Sequence, residues 1–147
     1  MKQLNDKIIT WLKQHGIDKL SPDKQYLKII EEVGELARGL LKNDLEAIKD
    51  AIGYIYVALM GYSLQRKIDF NVDKEIPYYT NVRGLKHLLR YLSKLETSDF
   101  KIMQITSVLD DLAYIHNLTL KECVSHAYNE IKDREIKIKN GVAVKNE

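Results

Sequence analysis

The chain has 147 residues, 45% of them hydrophobic and 30% charged, with 7 glycines, 2 prolines and 1 cysteine. That length and apolar share suit one domain with a real core and exclude a disordered chain, while so few turn residues exclude a sandwich or barrel of many short strands. A count of 23 Lys and Arg against 21 Asp and Glu leaves +2, too little to argue for gripping nucleic acid or an anionic membrane. Cys123 stands alone, so no internal disulfide framework or multi-cysteine zinc site is available. No apolar run approaches the roughly 18 to 20 residues of a membrane span. The opening MKQLNDKIITWLKQ mixes charged and apolar residues, unlike a signal peptide. The expectation is a cytoplasmic protein with no membrane partner.

Leu4, Ile8, Ile9 and Leu12 recur at helical spacing and stop at Gly16, which predicts a first amphipathic helix over 2–15. Ser21-Pro22-Asp23 reads as a helix start, with Ser as N-cap and Pro at the first helical position. Leu27, Ile30, Val33, Leu36, Ala37, Leu40 and Leu41 carry that helix to about Lys42. Asn43-Asp44 marks a short break, and a third helix runs from Leu45 to about Arg66, apolar nearly all round between Ile52 and Met60. Residues 67–80, with Pro77, predict a connector. Helical spacing resumes over Asn81–Leu95 and again over Asp99–His116. Thr119-Leu120-Lys121-Glu122 matches a capping box and opens a last helix to about Lys139, closed by Asn140-Gly141. No strand is predicted. The chain reads as an all-α bundle built on an antiparallel helix hairpin, one domain over 1–147. A nearly all-apolar third helix needs more cover than one small chain easily supplies, which favours oligomerisation.

Chemistry concentrates in Lys28-Ile29-Ile30-Glu31-Glu32-Val33-Gly34-Glu35, followed by Asp50-Ala51-Ile52-Gly53. Glu31, Glu32 and Glu35 share one arc of a helix, where like charges repel. With a turn at 42–44, Glu35 and Asp50 fall at the same level of the hairpin, and Glu31 and Glu32 fall level with Tyr54. Hard oxygen donors gathered beside apolar Ile30, Val33, Ile52 and Ile55 suit Mg²⁺ or Mn²⁺ when phosphates complete the shell. The alternative is a solvated acidic face.

The string K-x-x-E-E-x-x-E, followed about fifteen residues later by D-A-I-G before an apolar run, resembles the MazG-type pyrophosphohydrolases of the all-α NTP pyrophosphohydrolase superfamily. The stretch Ala127–Arg134, with Asn140-Gly141-Val142 beyond it, is similar to the tail of phage and Gram-positive members. The two matches cover roughly 24–60 and 120–147, and residues 67–118 carry no match. The resemblance implies Mg²⁺-dependent cleavage of a nucleoside triphosphate to the monophosphate and pyrophosphate, by a homodimer or homotetramer. It implies Glu32, Glu35 and Asp50 as metal ligands and Glu31 as the neighbour that orients the attacking water. Lys28 then meets phosphate or pairs with the carboxylates, and Asn129 and Arg134 contact phosphate or base.

One position departs from that pattern. Phage-like members read D-A-I-G-D, and this chain has Tyr54 where the last carboxylate would stand. A phenol, with a pKa near 10, ligates Mg²⁺ poorly at neutral pH. Glu46 is a spare carboxylate one turn before Asp50, at a level nearer Gly39 than Glu32. The alternative function is therefore a catalytically degenerate nucleotide-binding or protein-interaction module. Tyr54, Tyr56 and Tyr62 offer stacking surfaces for a base or simply fill the core. Arg83, His87, Arg90 and Lys94, with Lys86 alongside, form a basic stripe that could meet phosphates or pair with acidic neighbours. His15, His87, His116 and His126 show no ligand spacing.

Overall fold

The computed structural model describes residues 1–70, 81–95 and 100–146. They form six helices and a β-hairpin in chain order: α1 (Lys2–Gln14), α2 (Pro22–Lys42), α3 (Leu45–Arg66), α4 (Asn81–Leu92), α5 (Phe100–Ile115), α6 (Leu120–Ile131), β1 (Ile136–Lys139) and β2 (Val142–Lys145). A 3₁₀ turn, Ile17–Lys19, links α1 to α2. Residues 71–80 of the expected connector, and Asp99 at the expected helix start, lie outside the described residues.

Local chemistry explains the boundaries. Asn43 takes a left-handed conformation (φ 52°), and Asp44 caps α3 by accepting from the Ala47 N–H at 3.2 Å. Ser21 occupies the N-cap of α2 with extended backbone but makes no side-chain cap bond, so Pro22 and Asp23 set that start without it. The capping box is present: Thr119 Oγ1 accepts from the Glu122 N–H at 3.0 Å, and Glu122 Oε2 accepts from the Thr119 N–H at 3.1 Å.

Two expectations need correction. The last helix ends at Ile131, not Lys139, and Ile136–Lys139 pairs antiparallel with Val142–Lys145. Asn140 (φ 53°) and Gly141 (φ 79°) are both left-handed, the geometry of the two-residue turn that matches strand twist. The alternating Ile-Lys-Ile-Lys and Val-Ala-Val-Lys runs around Asn-Gly are therefore a hairpin rather than a frayed helix end. The argument for oligomerisation also changes. One chain covers the middle of α3 by itself, burying Ile52, Ile55, Tyr56, Leu59 and Met60 completely against α2, α5 and α6. Exposed apolar side chains fall elsewhere: Leu27 (61%), Ile30, Leu41 (88%) and Leu45 on α2 and the start of α3, Val82 and Leu89 on α4, Tyr114 on α5 and Ile138 on β1.

Gly53 is where α6 crosses α3. A Cβ there would collide with the Cys123 carbonyl and crowd Ala127 Cβ at 2.9 Å, so the two backbones meet without side chains between them. Cys123 is fully buried at this crossing, and burial pushes its thiol up to about 12, which makes it a packing residue and not a nucleophile. No helix among the described residues is long and apolar enough to cross a membrane.

Gly53→Ala is expected to lower stability by about 1–3 kcal/mol through overpacking, read as a lower urea midpoint. Gly34→Ala, where a Cβ meets nothing within 4 Å, is expected to raise stability by about 0.5–1 kcal/mol.

Candidate functional site

Two contacts set the register of the α2–α3 hairpin. Near the turn Gly39 abuts Ile48, and further along Gln25 donates its side-chain amide to the Ala58 carbonyl at 2.9 Å. Between these points the carboxylates gather. Glu32 is half-buried, and Glu31, Glu35 and Asp50 all act on its charge. Burial first, then the charges of Glu31, Asp50 and Glu35, push its carboxyl from 4.5 up to about 7 against the opposing pull of Lys28. Lys28 pairs with Glu31 at 3.4 Å, and Arg38 lies 4.0 Å from Glu35; Glu31 and Glu35 are exposed. These surface pairs contribute little to stability but leave one cation beside each flank of the acidic arc.

α6 brings a second set of groups to Asp50. His126 Nε2 lies 3.1 Å from Asp50 Oδ1 and 3.0 Å from Glu130 Oε1. The Tyr54 hydroxyl donates to Glu130 Oε2 at 2.6 Å, and an Arg134 N–H reaches the Tyr54 oxygen at 3.4 Å. Burial and the Glu130 charge raise the Asp50 carboxyl, with His126 opposing. Burial and the same Glu130 carboxylate hold the Tyr54 phenol above its ordinary range, so at neutral pH it donates a hydrogen bond and offers no anionic oxygen.

A cavity of about 290 Å³ opens beside this network. Lys28 and Glu32 line it from α2, Tyr54 from α3, Trp11 from α1 and Arg134 from the segment after α6. Ile136, Ala143 and Val144 of the β-hairpin close one side. Volume, apolar walls and a few convergent charged groups are the general features of a small-molecule site.

Comparison with known proteins gives a partial match. The chain is 35% identical over 75 residues to an uncharacterized 18.2 kDa protein from the rep-hol intergenic region of Haemophilus phage HP1. The aligned segment covers 50% of this chain and 46% of the phage protein, so the chain spans about half the length of that relative. No family model matches the chain, and no solved structure does.

The residues singled out in the sequence divide accordingly. Lys28, Glu32, Tyr54 and Arg134 meet at the cavity, while Glu31, Glu35 and Asp50 lie near enough to Glu32 to act on its charge. Asn129 is exposed and does not line this cavity; it lies in a shallow groove with Lys49, Thr119, Lys121 and His126. Lys132 is the C-cap of α6, and Asp133 and Arg134 follow it rather than lying within the helix. Glu130 bonds to His126 and Tyr54. Tyr56 is fully buried and donates to Asn5, and Tyr62 lies buried under Arg66, so neither is free to stack on a ligand. Glu46 is exposed in the first turn of α3. Of the basic stripe, Arg83, Lys86, His87 and Arg90 lie on α4, with Arg83, Lys86 and Arg90 exposed, and Lys94 falls in the turn after it. Sequence reasoning missed His126 and Glu130. Their signal was His-x-x-x-Glu on one helix face, mute until Asp50 is known to face it.

A carboxyl raised in the folded chain gives stability that is full below its ordinary pKa and is lost as pH rises through the folded value. For Glu32 that window runs from 4.5 to about 7. With divalent ions chelated, Glu32→Gln is expected to match the parent near pH 5 and to exceed it by about 1 kcal/mol near pH 8, the gain being limited by partial solvation. Urea midpoints across that range measure the crossover.

Proposed function

We propose that this protein is a Mg²⁺- or Mn²⁺-dependent nucleoside triphosphate pyrophosphohydrolase, acting in the cytoplasm in house-cleaning or nucleotide-pool control. The observation that carries this reading is the convergence of Glu31, Glu35 and Asp50 on half-buried Glu32 at the wall of a cavity that also holds Lys28, Tyr54 and Arg134. An all-oxygen donor set that crowds its own negative charge fits a hard divalent cation. Glu32, Glu35 and Asp50 would hold it, and when bound it would neutralise phosphate charge in a cleavage between the α- and β-phosphates. Lys28 and Arg134 offer their positive charge to the phosphates, and Tyr54 offers a ring face to the base. Exposed Glu31 accepts the proton of the attacking water as the bond to the leaving pyrophosphate breaks. A homodimer or homotetramer would have Leu27, Ile30, Leu41 and Leu45 to bury.

Tyr54 favours a second reading, a catalytically degenerate module that binds nucleotide or a protein partner without turnover. Its phenol stands where the resembling family keeps a carboxylate, and its hydrogen is committed to Glu130.

Purified protein incubated with a panel of NTPs and dNTPs plus Mg²⁺ or Mn²⁺ is expected to release pyrophosphate. Glu35→Gln should lower that release by at least about 100-fold, the upper end of what losing even an outer metal partner costs. Release no greater than the Glu35→Gln level would sink the hydrolase reading. Thermal stabilisation by nucleotide without hydrolysis, with turnover restored by Tyr54→Asp, selects the degenerate module.

A further inference from the structure

Beyond the acidic arc of α2, one nitrogen and two oxygens close on a single point. His126 and Glu130 stand one turn apart on α6 and Asp50 faces them from α3, with a donor atom of each within 4.8 Å of the others. Nε2 is 3.1 Å from Asp50 Oδ1 and 3.0 Å from Glu130 Oε1. A metal ion about 2.0–2.1 Å from each donor would separate them by about 2.9 Å in octahedral and about 3.3 Å in tetrahedral coordination. Both distances to His126 fall inside that interval and the Asp50–Glu130 pair lies within 4.8 Å, so an ion enters by rotation of side chains, with both helices where they are.

Charge and orientation point the same way. Two carboxylates bracket one imidazole nitrogen, so the trio stays negative even with the ring protonated. The Tyr54 hydroxyl takes Glu130 Oε2 at 2.6 Å, which fixes that carboxylate's rotation and turns Oε1 to His126. A hydrogen bond to the far oxygen is how proteins orient a ligating carboxylate.

We propose that His126, Glu130 and Asp50 form a site for one borderline transition-metal ion of the Zn²⁺ or Co²⁺ class, which clips α6 to α3. The imidazole separates this site from the all-oxygen set around Glu32, because nitrogen donors prefer such ions to Mg²⁺. The ion binds the Nε2 lone pair of the neutral ring with its hydrogen on Nδ1; a protonated ring first gives its Nε2 proton to solvent, and water fills the remaining coordination positions. Asp50 belongs to both groups, but the inference does not rest on nucleotide hydrolysis.

The test uses the full chain stripped of metal with chelator, in the absence of nucleotide. Titration calorimetry with Zn²⁺ should give one ion per chain, and Co²⁺ should develop visible d–d bands that Zn²⁺ then abolishes. Either ion should raise Tm by several degrees at concentrations where Mg²⁺ leaves it unchanged. His126→Ala should weaken binding about tenfold or more, with its fold checked by circular dichroism. Glu130→Gln should do the same while its amide oxygen still accepts from Tyr54, so a folding defect cannot mimic the loss. Glu35→Gln should bind as the parent does. No Co²⁺ bands in the parent, or bands of equal strength in His126→Ala, overturn the site. Pyrophosphate release with Mg²⁺ is read separately, so either outcome there leaves this result to stand or fall alone.

Discussion

Residue 53 has no side chain, and that lets α6 lie with its backbone against α3. On α3 the crossing face reads Asp50, Gly53 and Tyr54, and on α6 it reads Cys123, His126, Ala127 and Glu130. Helical spacing puts the apolar members of each set at the contact and the polar members one turn to the side. Tight packing at Gly53 therefore holds His126 and Glu130 within hydrogen-bond reach of Asp50 and Tyr54. A wider crossing would move these groups apart and let water screen them. The same contact continues the burial of α3, which the α2 hairpin and α5 complete.

Charge follows from that geometry. The whole chain is nearly neutral, yet Glu31, Glu32, Glu35, Asp50 and Glu130 collect where α2, α3 and α6 meet, and the cations beside them are Lys28, Arg38 and Arg134. Partial burial makes the imbalance costly, which is why Glu32 and Asp50 both hold their protons more strongly than free carboxylates do. Two donor sets of different character share Asp50. One is all oxygen and reaches the cavity through Glu32, and the other includes an imidazole and joins α6 to α3. Tyr54 sits between them, on the cavity wall and bonded to Glu130.

Much of the fold was legible in the sequence because its signals are local. Helical periodicity, Pro22 at a first position, Asp44 as a cap and the Thr119–Glu122 box are each satisfied within a few residues of chain, and the helices follow them. The end of α6 was misread because helix caps and hairpin turns use the same residues. Asn140-Gly141 closes a helix or joins two strands, and only pairing between Ile136–Lys139 and Val142–Lys145 distinguishes the two. Ser21 shows the reverse case, a residue of the preferred type in the N-cap position that makes no cap bond.

The sequence by itself determined the six-helix plan and the carboxylate arc of Glu31, Glu32 and Glu35, because spacing along one helix sets which side chains share a face. It also exposed Tyr54 as the departure from the D-A-I-G-D pattern. Only the tertiary structure decided what stands next to Tyr54 and Asp50. Glu130 lies 76 residues from Tyr54 in sequence and 2.6 Å away in space, and no periodicity along the chain encodes a meeting between helices that far apart. The cavity has the same origin, since α1, α2, α3 and the C-terminal hairpin each give one wall. Composition left the near-neutral charge without a reading, and packing turned it into a local excess of carboxylates beside a space of defined size.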